Sequence, residues 1–243
     1  YRIITKHVFP SAICITDHFH VIQELNRRVD RVRIRVQNRF RKTINTLKPK
    51  KNNKTITSEE LIELEEASRY YYVLKKFNWL LASTNKKILD VNVERRFNHR
   101  LNRYLNYSEI LAYMLAIDDE LEEAFYLRND VTYFYDHCTY DTAKKQLEKI
   151  IIDFRSSPIA EMSPFANTLT NWKREIINSF IIVDDKANRK MNTAIVENRN
   201  KSIKLIKHAS NGYLNWERFR NRILYTLNED TTFYYTNIRK DGK

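Results

Sequence analysis

The sequence predicts a predominantly α-helical fold with few short strands. The chain holds only 2 Gly and 4 Pro in 243 residues, too few to supply the turns of an all-β protein. Apolar residues recur every three or four positions through several long segments, the period of a helix buried on one face. Hydrophobic residues make up 42% of the chain, enough to build a core and too many for wholesale disorder.

The elements follow in order. "AICIT" (12–16) is a short apolar, β-branched run that suits a buried strand. From Phe19 onward Ile22, Leu25, Val29, Val32, Val36 and Phe40 mark one face of a helix of roughly six turns. Arg27, Arg28, Arg31, Arg35 and Arg39 occupy its other faces. "LKPKKNNKT" (47–55) reads as a loop because of its Pro and its basic, polar run. Thr57 and Glu60 form a capping box that opens the next helix. "YYYVLKKFNWLLAST" (70–84) fits a helix continuation or a core strand near 77–82. Residues 108–128 form an amphipathic helix opening on Ser108, and 139–155 and 164–182 are helical too, the last with Pro164 at its start. In the final third Ile195, Val196, Ile203 and Ile206 outline an apolar helical side, and Gly212 supplies the stop. A second helix then carries Trp216, Phe219, Ile223 and Leu227 inward, and Trp79 and Trp172 read as core.

Charge divides the chain. Residues 18–54 hold 12 Lys and Arg against 2 Asp and Glu, residues 55–185 hold 16 against 22, and residues 186–243 hold 13 against 5. Two basic flanks enclose an acidic helical block, which makes a polyanion such as nucleic acid the expected partner of the flanks. Solvated charge on helix faces is the plain alternative. The two cysteines, Cys14 and Cys138, fit a reducing compartment and cannot make a zinc site by themselves. No signal peptide or membrane-length apolar run is visible.

"CITDHFHVIQELN" (14–26) concentrates the candidate chemistry. Asp17 before a helix is a good N-cap. A transition-metal site on Asp17, His18 and His20 is weak, because residues two apart on a helix point about 200° from one another, and the other histidines lack HExxH-type spacing. A third reading pairs Asp17 with a later carboxylate to hold a hard divalent ion for phosphoryl transfer. Glu197 is the carboxylate for it. Glu197, Asn200, Lys204 and Lys207 fall at steps of three, four and three, so they share one helix face.

Two segments carry a family resemblance. "FPSAICITDHFHVIQELNRRVDRVR" (9–33) resembles the second catalytic segment of bacterial insertion-sequence DDE transposases of the ISL-three group, and "AIVENRNKSIKLIKHASNGYLNWERFRNRIL" (194–224) resembles their third. Weaker similarity runs through "FNWLLAS" and "DDELEEAFYL". The resemblance implies a partial ribonuclease-H-like α/β core interrupted by a large helical insertion. Residues 1–54 would belong to the core, 55–185 to the insertion (with one core strand near 77–82), 186–232 to the carboxyl-terminal catalytic helix region and 233–243 to a tail. It implies Mg²⁺, with Mn²⁺ as a substitute, held by Asp17 and Glu197 for strand cleavage and strand transfer. His20 would support the site, and Asn200, Lys204 and Lys207 would face DNA phosphates. The implied partners are transposon-end and target DNA and a second copy in the full-length protein, in the cytoplasm of a bacterium with no membrane partner. The family's first Asp has no counterpart here and is expected upstream of Tyr1, so residues 1–243 alone are expected to be inactive. The sequence also departs from the pattern at His18, where Arg is usual, at Asn198, often Gly, and at His208, commonly Arg. The alternatives are a non-catalytic DNA-binding remnant and a helical interaction protein.

Overall fold

A computed structural model of the chain describes residues 7–184, 189–190 and 194–228, with no account of the side chains of 183–189 and 191–195. The chain forms two units, residues 1–191 and 192–243.

The first unit is built around α1 (His18–Asn52). Val21, Leu25, Val29, Val32 and Val36 are buried along one face, and Ile22 and Phe40 are partly buried beside them. Each such aliphatic side chain contributes about 1.5–3 kcal/mol when fully enclosed. The helix does not stop at Leu47 as expected. It runs through Pro49 to Asn52, because one proline removes a single backbone donor and the flanking turns hold. The end is set instead by Lys54, whose φ of 56° turns the chain left-handed, with Thr55 N–H donating to the Lys50 carbonyl at 3.0 Å.

The expected capping box forms at α2 (Ser58–Lys76): Thr57 Oγ1 accepts from Glu60 N–H at 3.2 Å and the Glu60 carboxylate accepts from Thr57 N–H at 3.1 Å. α2 packs along α1. The stretch near 77–82 is not a strand but a 3-10 turn, Asn78–Ala82. Leu80 and Leu81 are both buried there, whereas a strand would send neighbours to opposite faces. The hairpin β1 (Arg96–Asn98) and β2 (Arg103–Leu105) follows, with Phe97 opposite Tyr104. Asn98 Oδ1 accepts from Arg100 N–H and Leu101 N–H at its turn.

The helix expected over 108–128 is two helices, α3 (Tyr107–Leu115) and α4 (Asp119–His137). Asn106, not Ser108, caps the first through a box with Glu109. Asp118 Oδ1 accepts from Leu121 N–H at 3.1 Å and starts the second. α5 (Tyr140–Ser156) lies where expected. The region 164–182 breaks into α6 (Phe165–Asn171) and α7 (Lys173–Asn178) before β3 (Ile182–Asp184), which pairs antiparallel with β4 (Arg189–Lys190). The run 12–16 forms no strand. Thr16 N–H donates to the Glu175 carbonyl at 3.0 Å and Asn178 Nδ2 to the Cys14 carbonyl at 2.9 Å, so α7 takes the place of a sheet neighbour. Trp79 and Trp172 are each 41% exposed rather than core.

The second unit is the helix pair α8 (Ala194–Ala209) and α9 (Trp216–Leu227). Gly212 ends the first with φ of 96° and donates its N–H to the Lys207 carbonyl. Ile203, Ile206, Phe219, Ile223 and Leu227 are half-buried. Trp216 and Val196 are exposed, correcting their expected inward placement; Ile195's side chain and the expected tail, 233–243, lie outside the described residues.

Candidate active site

Asp17 is the N-cap of α1. Its backbone is extended, at φ −65° and ψ 130°, and Oδ1 accepts from Phe19 N–H at 2.8 Å. His18 Nδ1 lies 3.4 Å from the same oxygen, and the Asp17 side chain is only 9% exposed. The cap holds the carboxylate at the positive end of a 35-residue helix.

A wall of aromatic groups from α4 and the α7–β3 connection stands beside it. The Tyr135 ring is 5.7 Å from the His18 ring and stacks parallel on Phe180 at 5.7 Å. Lys190 fixes this wall from behind: Nζ sits 4.5 Å from the Phe180 ring centroid and donates to the carbonyls of Tyr135, at 2.9 Å, and Cys138, at 3.2 Å. Burial, and then the charge of Asp17, push the Tyr135 phenol well above its ordinary range, so it stays a donor. Its Oη and the Thr16 hydroxyl are buried without a hydrogen-bond partner among the described residues. Buried hydroxyls of that kind call for a ligand or solvent partner.

This donor set is made of hard oxygens. The Asp17 carboxylate, nearly enclosed, suits a hard divalent cation such as Mg²⁺ better than a soft transition metal. His18 and His20 do not converge on a metal, and no group of three His, Cys, Asp or Glu able to hold one occurs among the described residues. His20 instead lines a mainly apolar cleft of about 290 Å³ with Val21, Glu24, Phe165, Trp172 and Ile176. Its edge meets the Phe19 ring at 5.8 Å.

Glu197 belongs to the second unit, in the first turn of α8. Glu197, Asn200, Lys204 and Lys207 are all exposed on that helix, and their spacing puts them on one face. Sequence reasoning passed over Thr16 and Tyr135. The signal for Tyr135 was its place one helical turn after Val131 and two after Arg128, both buried.

No helix among the described residues is long and apolar enough to cross a membrane. A family model for DDE transposases of the ISL-three group, described as a transposase, matches residues 1–223. No curated protein and no solved structure matches the chain.

Proposed function

The chain belongs to the ISL-three group of DDE transposases, the enzymes of DNA transposition, and on that premise we propose that Asp17 and Glu197 are two of its metal-binding carboxylates. The observation that carries this reading is Asp17 itself: a carboxylate almost closed off from solvent at a helix N-terminus. A surface cap needs no such enclosure. When bound, Mg²⁺ or Mn²⁺ supplies activation of the attacking water or 3′-hydroxyl and charge stabilisation on the leaving oxygen. Asp17 holds its position through the Phe19 N–H. The Tyr135 phenol donates toward the site, and His20 supports it through the adjoining cleft. Asn200, Lys204 and Lys207 hold the DNA backbone next to Glu197.

On this reading residues 1–54 and 186–232 contribute to a ribonuclease-H-like core, and 55–185 are its helical insertion. The family's first Asp has no motif counterpart within residues 1–243, so the chain on its own is expected not to cleave DNA.

The test supplies that carboxylate on an added segment and measures strand transfer of insertion-sequence ends. Asp17→Ala and Glu197→Ala should each lower the rate by at least about 100-fold, since changes to groups that merely orient a metal ligand already cost 10–100-fold. A chelator should abolish the reaction, and added Mg²⁺ or Mn²⁺ should restore it. Strand transfer that survives Asp17→Ala overturns the assignment.

A further inference from the structure

The acidic insertion is not uniformly acidic. Within residues 55–185, the stretch 69–105 holds 9 of the 16 Lys and Arg and only 2 of the 22 Asp and Glu. The structure places five of these nine cations, Arg69, Lys75, Lys76, Arg96 and Arg100, around one groove in the first unit. Three adjoining depressions of about 430, 530 and 530 Å³ all share Tyr72 and Arg100. Each is of the size that takes a small organic ligand. Their walls are the C-terminal turns of α1, with Lys48 and Lys51, the exposed side of α2, with Arg69, Lys75 and Lys76, and the β1–β2 hairpin, with Arg96 and Arg100.

Two features separate this groove from an ordinary solvated face. Of its neighbourhood's cations, Lys50 is paired with Glu60 and Arg95 with Glu109. Lys48, Lys51, Arg69, Lys75, Lys76, Arg96 and Arg100 make no ion pair among the described residues, while Glu65 and Glu94 are the only carboxylates on the groove walls. The cations are also interleaved with rings. Arg100 lies 5.8 Å and Lys76 Nζ 5.9 Å from the Tyr72 centroid. Phe97, 39% exposed, meets Tyr104 at 5.0 Å and His99 edge-on at 4.9 Å.

We propose that this groove, centred on Tyr72, Phe97, Arg96 and Arg100, binds an unpaired stretch of DNA, with bases against the rings and phosphates on the cations. It rests on the transposase reading for the identity of the polyanion. Duplex backbone needs cations alone. Rings exposed among the cations add what only an unstacked base can use, a face to stack on. The hairpin suits this role because its pairing holds Phe97 beside Tyr104 on one face.

The experiment measures binding of residues 1–243 to a single-stranded oligonucleotide of about 12 nucleotides, within the span of such grooves, and to its duplex, across a salt series. Phe97→Ala should weaken single-strand binding about fivefold or more and leave duplex binding within about twofold, with Phe97→Tyr restoring it. The double variant Arg96→Ala/Arg100→Ala should flatten the single-strand salt slope by about 1.4, two phosphate contacts at about 0.7 each. These side chains are exposed, and circular dichroism checks that each variant folds. The proposal is overturned if Phe97→Ala leaves single-strand binding unchanged, or if single strand and duplex lose affinity equally, which would make the groove a duplex-backbone patch. It is overturned too if polyglutamate displaces the oligonucleotide equally well from wild type and Phe97→Ala, which would point to an acidic protein. Loss of the proposal with duplex binding intact leaves the transposase reading standing; absence of any salt-dependent DNA binding overturns both.

Discussion

Two parts of this chain are rich in arginine and lysine and use them in opposite ways. Along α1 five of the seven arginines, Arg27, Arg28, Arg33, Arg35 and Arg39, are engaged by the protein itself. Arg35 pairs with Glu120 and with Glu161, the latter at 2.8 Å. Arg39 reaches Asp118 at 2.7 Å. Arg28 donates to the Glu161 carbonyl at 2.8 Å, and buried Arg33 donates to Asp30 at 2.7 Å and the Leu74 carbonyl at 3.0 Å. The acidic block of residues 55–185 supplies counterions for the basic helix. Around the β1–β2 hairpin the same side chains face solvent beside exposed rings. A cation that already has a carboxylate has less to gain from a phosphate, because that carboxylate must first be displaced. Net charge counted along the sequence marks the whole of α1; charge left after pairing marks its last turns and the groove they line.

The comparison can be attacked first at its most enclosed arginine. Arg128 is 2% exposed and donates to Asn26 Oδ1 at 3.0 Å, Asn129 Oδ1 at 2.9 Å and the Ala82 carbonyl at 2.7 Å. Arg128→Met strands those acceptors and should cost about 3 kcal/mol or more in urea unfolding; a neutral result would break the claim that engaged arginines hold this fold together. A smaller effect separates the ion-paired class. Glu161→Gln should cost about 0.5–1 kcal/mol at neutral pH, given the partial exposure of the pair. Hydrogen bonding to Arg35 holds the Glu161 carboxyl below its usual 4.5, so its contribution is complete above that value and lost as pH falls through the depressed one. The stability gap between wild type and Glu161→Gln should therefore close on acidification, and a gap that widens would contradict the pairing. The smallest expected effect sharpens the other side. Arg96→Ala/Arg100→Ala should shift unfolding by no more than about 0.5 kcal/mol, because both side chains are exposed and neither makes an ion pair among the described residues.

The buried stripe of α1 was legible because its period is long and uninterrupted, and the Thr57–Glu60 box because its two hydrogen bonds are local. The 108–128 break was written in Asp118 and Asp119, yet apolar periodicity continues across it and hides the second cap. Leu80 and Leu81 misled for the opposite reason: an apolar run too short to show a period reads equally as strand or turn. The run 12–16 was apolar enough for a strand, but its hydrogen-bond partners, Glu175 and Asn178, lie far along the chain on α7, which no local pattern reveals. At the site, Asp17 could be singled out from its motif. Thr16 and Tyr135 could not, since their interest lies in hydroxyls left without partners by burial. The hairpin cations were lost by averaging 69–105 into a block that is acidic as a whole.

The length of α1 carries a further consequence. It begins beside the Asp17 carboxylate and ends with Lys48 and Lys51 on the wall of the groove. A straight helix from residue 18 to residue 51 spans about 50 Å. Duplex DNA advances about 3.4 Å per base pair, so that span corresponds to roughly 15 base pairs. On the proposed readings of Asp17 and of the groove, a DNA touching both ends would have its reacting phosphate and its held strand kept that far apart by α1. Lengthening or shortening α1 by whole turns would then move where the DNA is gripped relative to where it reacts, with neither set of contacting residues altered.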